Sequence, residues 1–282
     1  METTNRDHQQ ALLRLLAEFD RVCGKLRIPY VLFAGTLLGA ARHKGFIPWD
    51  DDLDVMMLRA DYDRFLREAE GVLDGEFFLQ KEFSEHWPMF FSKLRLNGTT
   101  CLEAFHPRDP RLHQGVYMDI FPCDNASATA AGRWLQYAAS RVVIAKCLWK
   151  RGYDTDNGAK KLFMALCRLL PLEPARKMAK GGEDGEFVHS FFSAARRFDK
   201  NVYPRRWFTR VGMLEFEGKR YPVPEDWHEL LRQLYGDYTR LPSEAERKIK
   251  RHAILVDLET SWECYADYRE GMTFSENTRS IR

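Results

Sequence analysis

Four aspartates in five positions, Asp50, Asp51, Asp52 and Asp54, stand directly ahead of the apolar run Val55-Met56-Met57-Leu58. Charge of one sign packed beside a strand repels itself unless a cation offsets it. Side chains of an extended chain alternate faces, so Asp50, Asp52 and Asp54 project together while Leu53 and Val55 point the opposite way. Carboxylates two apart on one face suit a hard divalent cation, Mg2+ or Mn2+, with water and substrate phosphate completing its shell. For an isolated Asp-x-Asp, a solvated acidic turn is the simpler reading.

Two further signals weigh against that reading. Asp119 lies in Tyr117-Met118-Asp119-Ile120-Phe121, where an unpaired buried charge is expensive and a metal shared with Asp52 and Asp54 would offset it. Gly35-Thr36 ends one apolar run and opens a helical one, a place where backbone N–H groups and the helix dipole hold an anion. Arg42, His43 and Lys44, between these motifs, can neutralise phosphate or form a solvated basic turn. Lys93 and Arg95 share one face of an expected strand, as they would if an anionic ligand lay over it or if that face were exposed. Trp49 and Phe46 can stack on a base or a cationic headgroup, although core packing is the default for each. His113 and Gln114 read as loop residues that can reach toward Asp119.

Other uses of the aspartates fail or survive letter by letter. A calcium loop counted from Asp50 needs Gly sixth and Glu twelfth, where Val55 and Asp61 stand. An aspartyl phosphatase pattern counted from Asp52 needs Thr or Val fifth, where Met56 stands. A metal-dependent glycosyltransferase with an Asp-x-Asp pair remains open. So does a catalytically silent binding module, although three intact acids argue against it.

The elements that must carry these residues are legible in outline. Leu12, Leu13, Leu16, Phe19 and Val22 recur at helical spacing over Gln9–Leu26. Tyr30–Ala34 reads as a buried strand, Thr36 as the N-cap of a short helix Leu37–Arg42, Asp52–Leu58 as a strand and Ala60–Ala69 as a helix. Strands are expected at Phe77–Glu82, Met89–Leu96, Thr100–Phe105 and Val116–Phe121, the last stopped by Pro122. Helical patterns run from Ala128 to about Phe198, broken near Gly152, Pro171 and Gly181. A hairpin Met213–Phe216 and Arg220–Val223, a helix Glu225–Tyr235 and a charged segment Ser243–His252 complete the chain. The expected organisation is an α/β (α+β) fold: a mixed-sheet core over 1–125, a helical insertion over 126–205, and a segment over 206–282 packing on the core.

Composition bounds the class. The chain has 282 residues, 45% hydrophobic and 30% charged, with a net charge of +2, which is globular and singles out no nucleic-acid partner. Six scattered cysteines without a CxxC pair read as reduced thiols. The amino-terminal residues lack the layout of a signal peptide, and the longest uncharged apolar stretch, Ile28–Ala41, is too short to span a bilayer. A cytoplasmic protein is expected, free to visit the inner face of the membrane.

From Phe33 to Asp54 the sequence FAGTLLGAARHKGFIPWDDDLD resembles the signature of the LicD family, bacterial phosphocholine transferases related to fukutin-type ribitol-phosphate transferases. Met118-Asp119-Ile120-Phe121-Pro122 resembles that family's second acidic motif. Phe216-Glu217-Gly218, Pro222-Val223-Pro224, Tyr235-Gly236-Asp237-Tyr238 and Leu241-Pro242 resemble its C-terminal signature. The resemblance runs from about residue 28 to 252 and is weak in the middle helices. It implies a nucleotidyltransferase-like fold in which Asp52 and Asp54 form the metal pair, Asp119 is the third acid, and Gly35 and Thr36 grip phosphate. The implied reaction moves a phospho-alcohol such as phosphocholine from a CDP-linked donor, CDP-choline or CDP-ribitol, to a hydroxyl of a surface glycan or its lipid-linked precursor, of lipopolysaccharide, teichoic acid or capsule type.

Overall fold

The computed structural model describes residues 3–103, 111–153, 155–182, 185–192, 198–243 and 253–265. Eight helices are α1 Asn5–Leu26, α2 Ala34–His43, α3 Arg59–Glu68, α4 Ala130–Lys150, α5 Gly158–Leu169, α6 Leu172–Lys180, α7 Arg206–Thr209 and α8 Trp227–Tyr235. The strands are β1 Val31–Leu32, β2 Asp54–Leu58, β3 Phe77–Gln80, β4 Ser92–Leu96, β5 Thr100–Glu103, β6 Tyr117–Asn125, β7 Phe187–His189, β8 Val202–Pro204, β9 Val211–Phe216, β10 Lys219–Pro224 and β11 Ala253–Asp257. Seven strands form one mixed sheet in the order β1-β2-β6-β4-β3, extended by β7 on β6 and β8 on β7. The chain is thus of the α+β class. All of the Ser243–His252 segment after Ser243 and the last two residues of the expected strand Thr100–Phe105 lie outside the described residues.

The central pairing is parallel, β2 beside β6, with Asp54 opposite Asp119 and Leu58 opposite Cys123. Leu53 and Val55 are fully buried in the core, and Leu12, Leu15, Leu16, Phe19 and Val22 of α1 are as deeply covered. Each such side chain contributes roughly 1.5–3 kcal/mol. Helix α1 begins four residues earlier than its apolar spacing implies, because Thr4 and Asp7 close a capping box.

Elsewhere the elements depart from their expected bounds for identifiable reasons. Helix α2 starts at Ala34, so Gly35 and Thr36 lie inside its first turn and Thr36 is not its N-cap. Strand β6 runs through Pro122 to Asn125. The Asp119 N–H points at Leu53 O, just ahead of β2, so by alternation the nitrogen of residue 122 points the other way. There the β4 ladder has ended at Ile120 and the β7 ladder begins only at Asp124, so Pro122 removes no bond. The described helical run stops at Lys180, and Phe187–His189 and Val202–Pro204 return to the sheet as β7 and β8, with residues 193–197 of the expected helical stretch outside the described residues. The β9–β10 hairpin turns at Glu217 and Gly218, both at positive φ, the twist that a two-residue hairpin requires.

His189 of β7 is fully buried. Its Nε2 bonds to Ala179 O at 2.9 Å, its Nδ1 accepts the Phe191 N–H, and burial pushes its pKa down to about 4. A histidine held neutral in the fold but free to charge when unfolded stabilises fully above its ordinary pKa, near 6.5, and loses that contribution as the pH falls toward 4. Between pH 7 and 4.5 the wild type should lose about 2–3 kcal/mol more unfolding free energy than His189→Gln, measured by urea titration. Equal losses would show that His189 titrates alike in both states.

Candidate active site

The parallel β2–β6 pair delivers the carboxylates to a cleft of about 1180 Å3. Asp50, Asp52, Asp54 and Asp119 all line it, while Asp51 turns away and accepts the Ala253 N–H. The alternation expected from the sequence is therefore realised, although the strand itself starts at Asp54 and Asp52 sits in the preceding turn. Neighbouring strands are about 4.8 Å apart, so the register brings the Asp54 and Asp119 side chains together on one edge of the cleft.

The electrostatics follow from that crowding. Burial, and then the charges of Asp52, Asp119 and Asp50, raise Asp54 well above the ordinary carboxylate range, with Lys93 acting against them. Asp119 is raised by burial and held down in part by Lys93, whose Nζ lies 2.9 Å from Asp119 Oδ1 as an ion pair without hydrogen-bond alignment. Among the described residues no three His, Cys, Asp or Glu side chains form a closed metal-ligating cluster. The donor chemistry nevertheless fits a hard divalent cation: oxygen ligands and like charges that burial leaves strongly opposed. Asp52, Asp54 and Asp119 are the residues that would hold it, with phosphate and water completing the shell.

Gly35 and Thr36 serve the site differently. A Cβ on Gly35 would stand 2.9 Å from Asp50 Oδ2, so any larger residue there would push the Asp50 carboxylate aside. The Thr36 hydroxyl oxygen is buried and accepts the Asp54 N–H at 2.8 Å, tying α2 to the start of β2. Arg42 lines the cleft and donates to Tyr238 O at 3.1 Å. Lys44 does not line it; its Nζ is exposed and 3.9 Å from Glu215.

Nor do Lys93 and Arg95 line the cleft. Both are almost wholly buried on β4. Arg95 donates to Gln80 Oε1 at 2.7 Å and to Gly115 O at 2.8 Å, and Lys93 sits 3.1 Å over the Tyr117 ring between Asp119 and Glu103. The anions over this face are the chain's own. Glu103, pushed up by burial, is brought down to about 2 by Lys93, Arg151 and Arg95. His113 also stays away from the cleft, stacked on Phe78 and bonded to Asn97. Phe46 packs against Phe216 in the core, whereas Trp49 faces the cleft.

The remaining walls include Tyr235, Asp237 and Tyr238 of the C-terminal signature, which carries no role in the sequence, and side chains that no motif marks. Phe90, Phe91, Phe121 and Phe192 form an aromatic side, with Phe90 stacked on Phe192 at 4.8 Å and Phe91 tilted against Phe121 at 5.0 Å. Helix α4 adds Arg141, Ile144 and Leu148, and Tyr235, Asp237, Tyr238 and Arg240 close the far end. Burial and the charges of Asp54, Asp50 and Asp52 raise the Tyr235 hydroxyl. Glu217, without a derivable role in the sequence, pairs with Arg6 at 2.6 Å and accepts the Phe46 N–H, fastening the hairpin to the turn before the aspartates. The Phe90-Phe91 doublet was a visible signal; Arg141 carried none.

Comparison with known proteins bears on this arrangement. Residues 27–148 match the LicD/FKTN/FKRP nucleotidyltransferase domain. The chain is 29% identical over 262 residues to the lipopolysaccharide cholinephosphotransferase LicD of Haemophilus influenzae, covering 87% of this chain and 95% of that protein. Uncharacterized proteins of Rickettsia prowazekii and Rickettsia typhi are each 43% identical over 51 residues, 18% of this chain and 19% and 16% of theirs.

Proposed function

We propose that this chain, which carries a LicD-family domain, is a transferase that moves a phospho-alcohol, phosphocholine first, from a CDP-linked donor to a hydroxyl of a surface glycan. Lipopolysaccharide or its lipid-linked precursor is the acceptor that the Haemophilus relative suggests. The observation that carries this reading is the pairing of Asp54 with Asp119 on adjacent parallel strands, opening with Asp50 and Asp52 into one cleft. No helix among the described residues is long and apolar enough to cross a membrane.

In the transfer, the acceptor oxygen bonds to the phosphorus that bears the alcohol, the bond from that phosphorus to the CMP oxygen breaks, and the acceptor proton leaves. On this reading Asp119, its proton affinity raised by burial and Lys93 2.9 Å away, takes that proton from beside the cation it would share with Asp52 and Asp54. Asp52 and Asp54 would hold Mg2+, which neutralises phosphate charge and eases CMP departure when bound. The first turn of α2, bare of side chain at Gly35, presents its positive end to phosphate, and Arg42 adds a fixed cation at the rim. The four phenylalanines exclude water and offer ring faces to a quaternary ammonium.

Incubation with CDP-choline, CDP-ribitol or CDP-glycerol and Mg2+, with CMP release followed with and without lipopolysaccharide, tests the proposal. Acceptor-stimulated CMP from one donor, abolished by EDTA, is expected. Turnover of a UDP- or GDP-sugar instead would move the chain to the Asp-x-Asp glycosyltransferases.

A further inference from the structure

Helix α5 is built the wrong way round for a helix that meets only water. Of its twelve residues only Met164 and Cys167 are buried, against Ala145 of α4. By the 3.6-residue turn, Leu162, Leu166 and Leu169 form a stripe on the far side, and Phe163 and Leu170 widen it. All five are exposed, Leu162 at 62% and Leu169 at 83%. The Arg168 guanidinium sits 4.1 Å over the ring of exposed Trp149, which joins the end of α4 to the same surface. A contiguous apolar surface of this kind marks a docking face.

Charge identifies the occupant. Residues 146–180 contain nine Lys or Arg and three Asp or Glu, whereas the whole chain nets only +2, so the rest of the chain is net negative. Lys161 and Arg168 flank the apolar stripe. Apolar side chains in the middle and cations at the edge are the chemistry of a helix lying in the headgroup layer of an anionic membrane, the Leu and Phe in the acyl boundary and the cations on phosphate.

We infer that the α4–α5 face docks the protein onto anionic phospholipid. Helix α4 carries Trp149 on this face and Arg141, Ile144 and Leu148 on the cleft wall, so one helix couples the lipid surface to the site. The inference deepens the reading of a lipid-borne acceptor, and vesicle binding is measured without donor or acceptor, so the two fail separately.

The test is flotation of the full chain with phosphatidylcholine vesicles and with vesicles containing phosphatidylglycerol. Binding is expected only with the anionic lipid and should weaken with salt, each basic contact accounting for about fivefold. L162S/L166S/L169S, all exposed positions, should weaken binding by at least about tenfold, with an unchanged urea midpoint confirming the fold. K161E/R168E should do the same without removing apolar surface. Absence of wild-type binding, equal binding by the triple variant, or a wild-type dimer that the triple variant abolishes in place of vesicle binding would overturn the inference.

Discussion

Asp54→Asn should abolish CMP release, by a factor of about 10²–10³ or more, while raising the urea midpoint of the metal-free protein at neutral pH. Both effects have one cause. Asp54 is buried among Asp52, Asp119 and Asp50, and its pKa is raised well above its unfolded value. An acid so raised stabilises the fold fully below its unfolded pKa, near 3.9, and loses that contribution as the pH rises through its folded pKa. Above that unfolded value the wild type therefore holds a carboxyl whose burial costs stability, whether it keeps its charge or takes up a proton, and asparagine removes that cost at almost constant volume. The two proteins should match in stability below pH 4 and diverge as the pH rises. Mg2+ with CDP should then stabilise the wild type and not the variant. Asp52→Asn should lose activity with the fold retained in the same way. Equal or lower stability of Asp54→Asn at pH 7.5 would remove the argument that these carboxylates oppose one another.

Lys93→Met has the second largest expected effect, although Lys93 does not line the cleft. Its ammonium lies 2.9 Å from Asp119 and 3.9 Å from Glu103 at 1% exposure, and Glu103 keeps Arg151 at 2.9 Å when Lys93 is gone. Asp119 then carries a buried charge stripped of its nearest cation, a change that costs about 3–5 kcal/mol unless the acid takes up a proton. If it takes up a proton, a base is lost from the site. The acid limb of the CMP-release profile should move to higher pH and turnover at pH 7 should fall by about 10²-fold. Equilibrium unfolding at pH 8 separates the structural loss from the kinetic one. An unchanged pH profile would mean that Lys93 packs Asp119 without setting its proton affinity.

The acidic pair was legible in the sequence because two local rules apply to it. Alternation put Asp50, Asp52 and Asp54 on one face, and an aspartate among Tyr117, Met118, Ile120 and Phe121 advertised a charge in need of a partner. What that partner is lay beyond local rules. Lys93 and Arg95 read equally as ligands for a substrate anion, and only the register of β4 against β6, Lys93 opposite Asp119, shows which anion they meet. Strands β7 and β8 escaped notice because three residues cannot display alternation. Tyr235, Asp237 and Tyr238 stand in the C-terminal signature, yet their place on the cleft is not legible there because they follow a helix end whose position is set by contacts with α2 and β10, not by its own pattern.

That far wall has a consequence for biosynthesis. When residues 27–148 have left the ribosome, every carboxylate of the pair and its neighbours has been made, yet Tyr235 through Pro242, which close the cleft, have not. A nascent or prematurely terminated chain would present its acids in a half-open trough and could not enclose a nucleotide between two sides. Loss of the last sixty residues to a protease or a stop codon should therefore silence the protein as completely as loss of an aspartate, with no acidic motif touched.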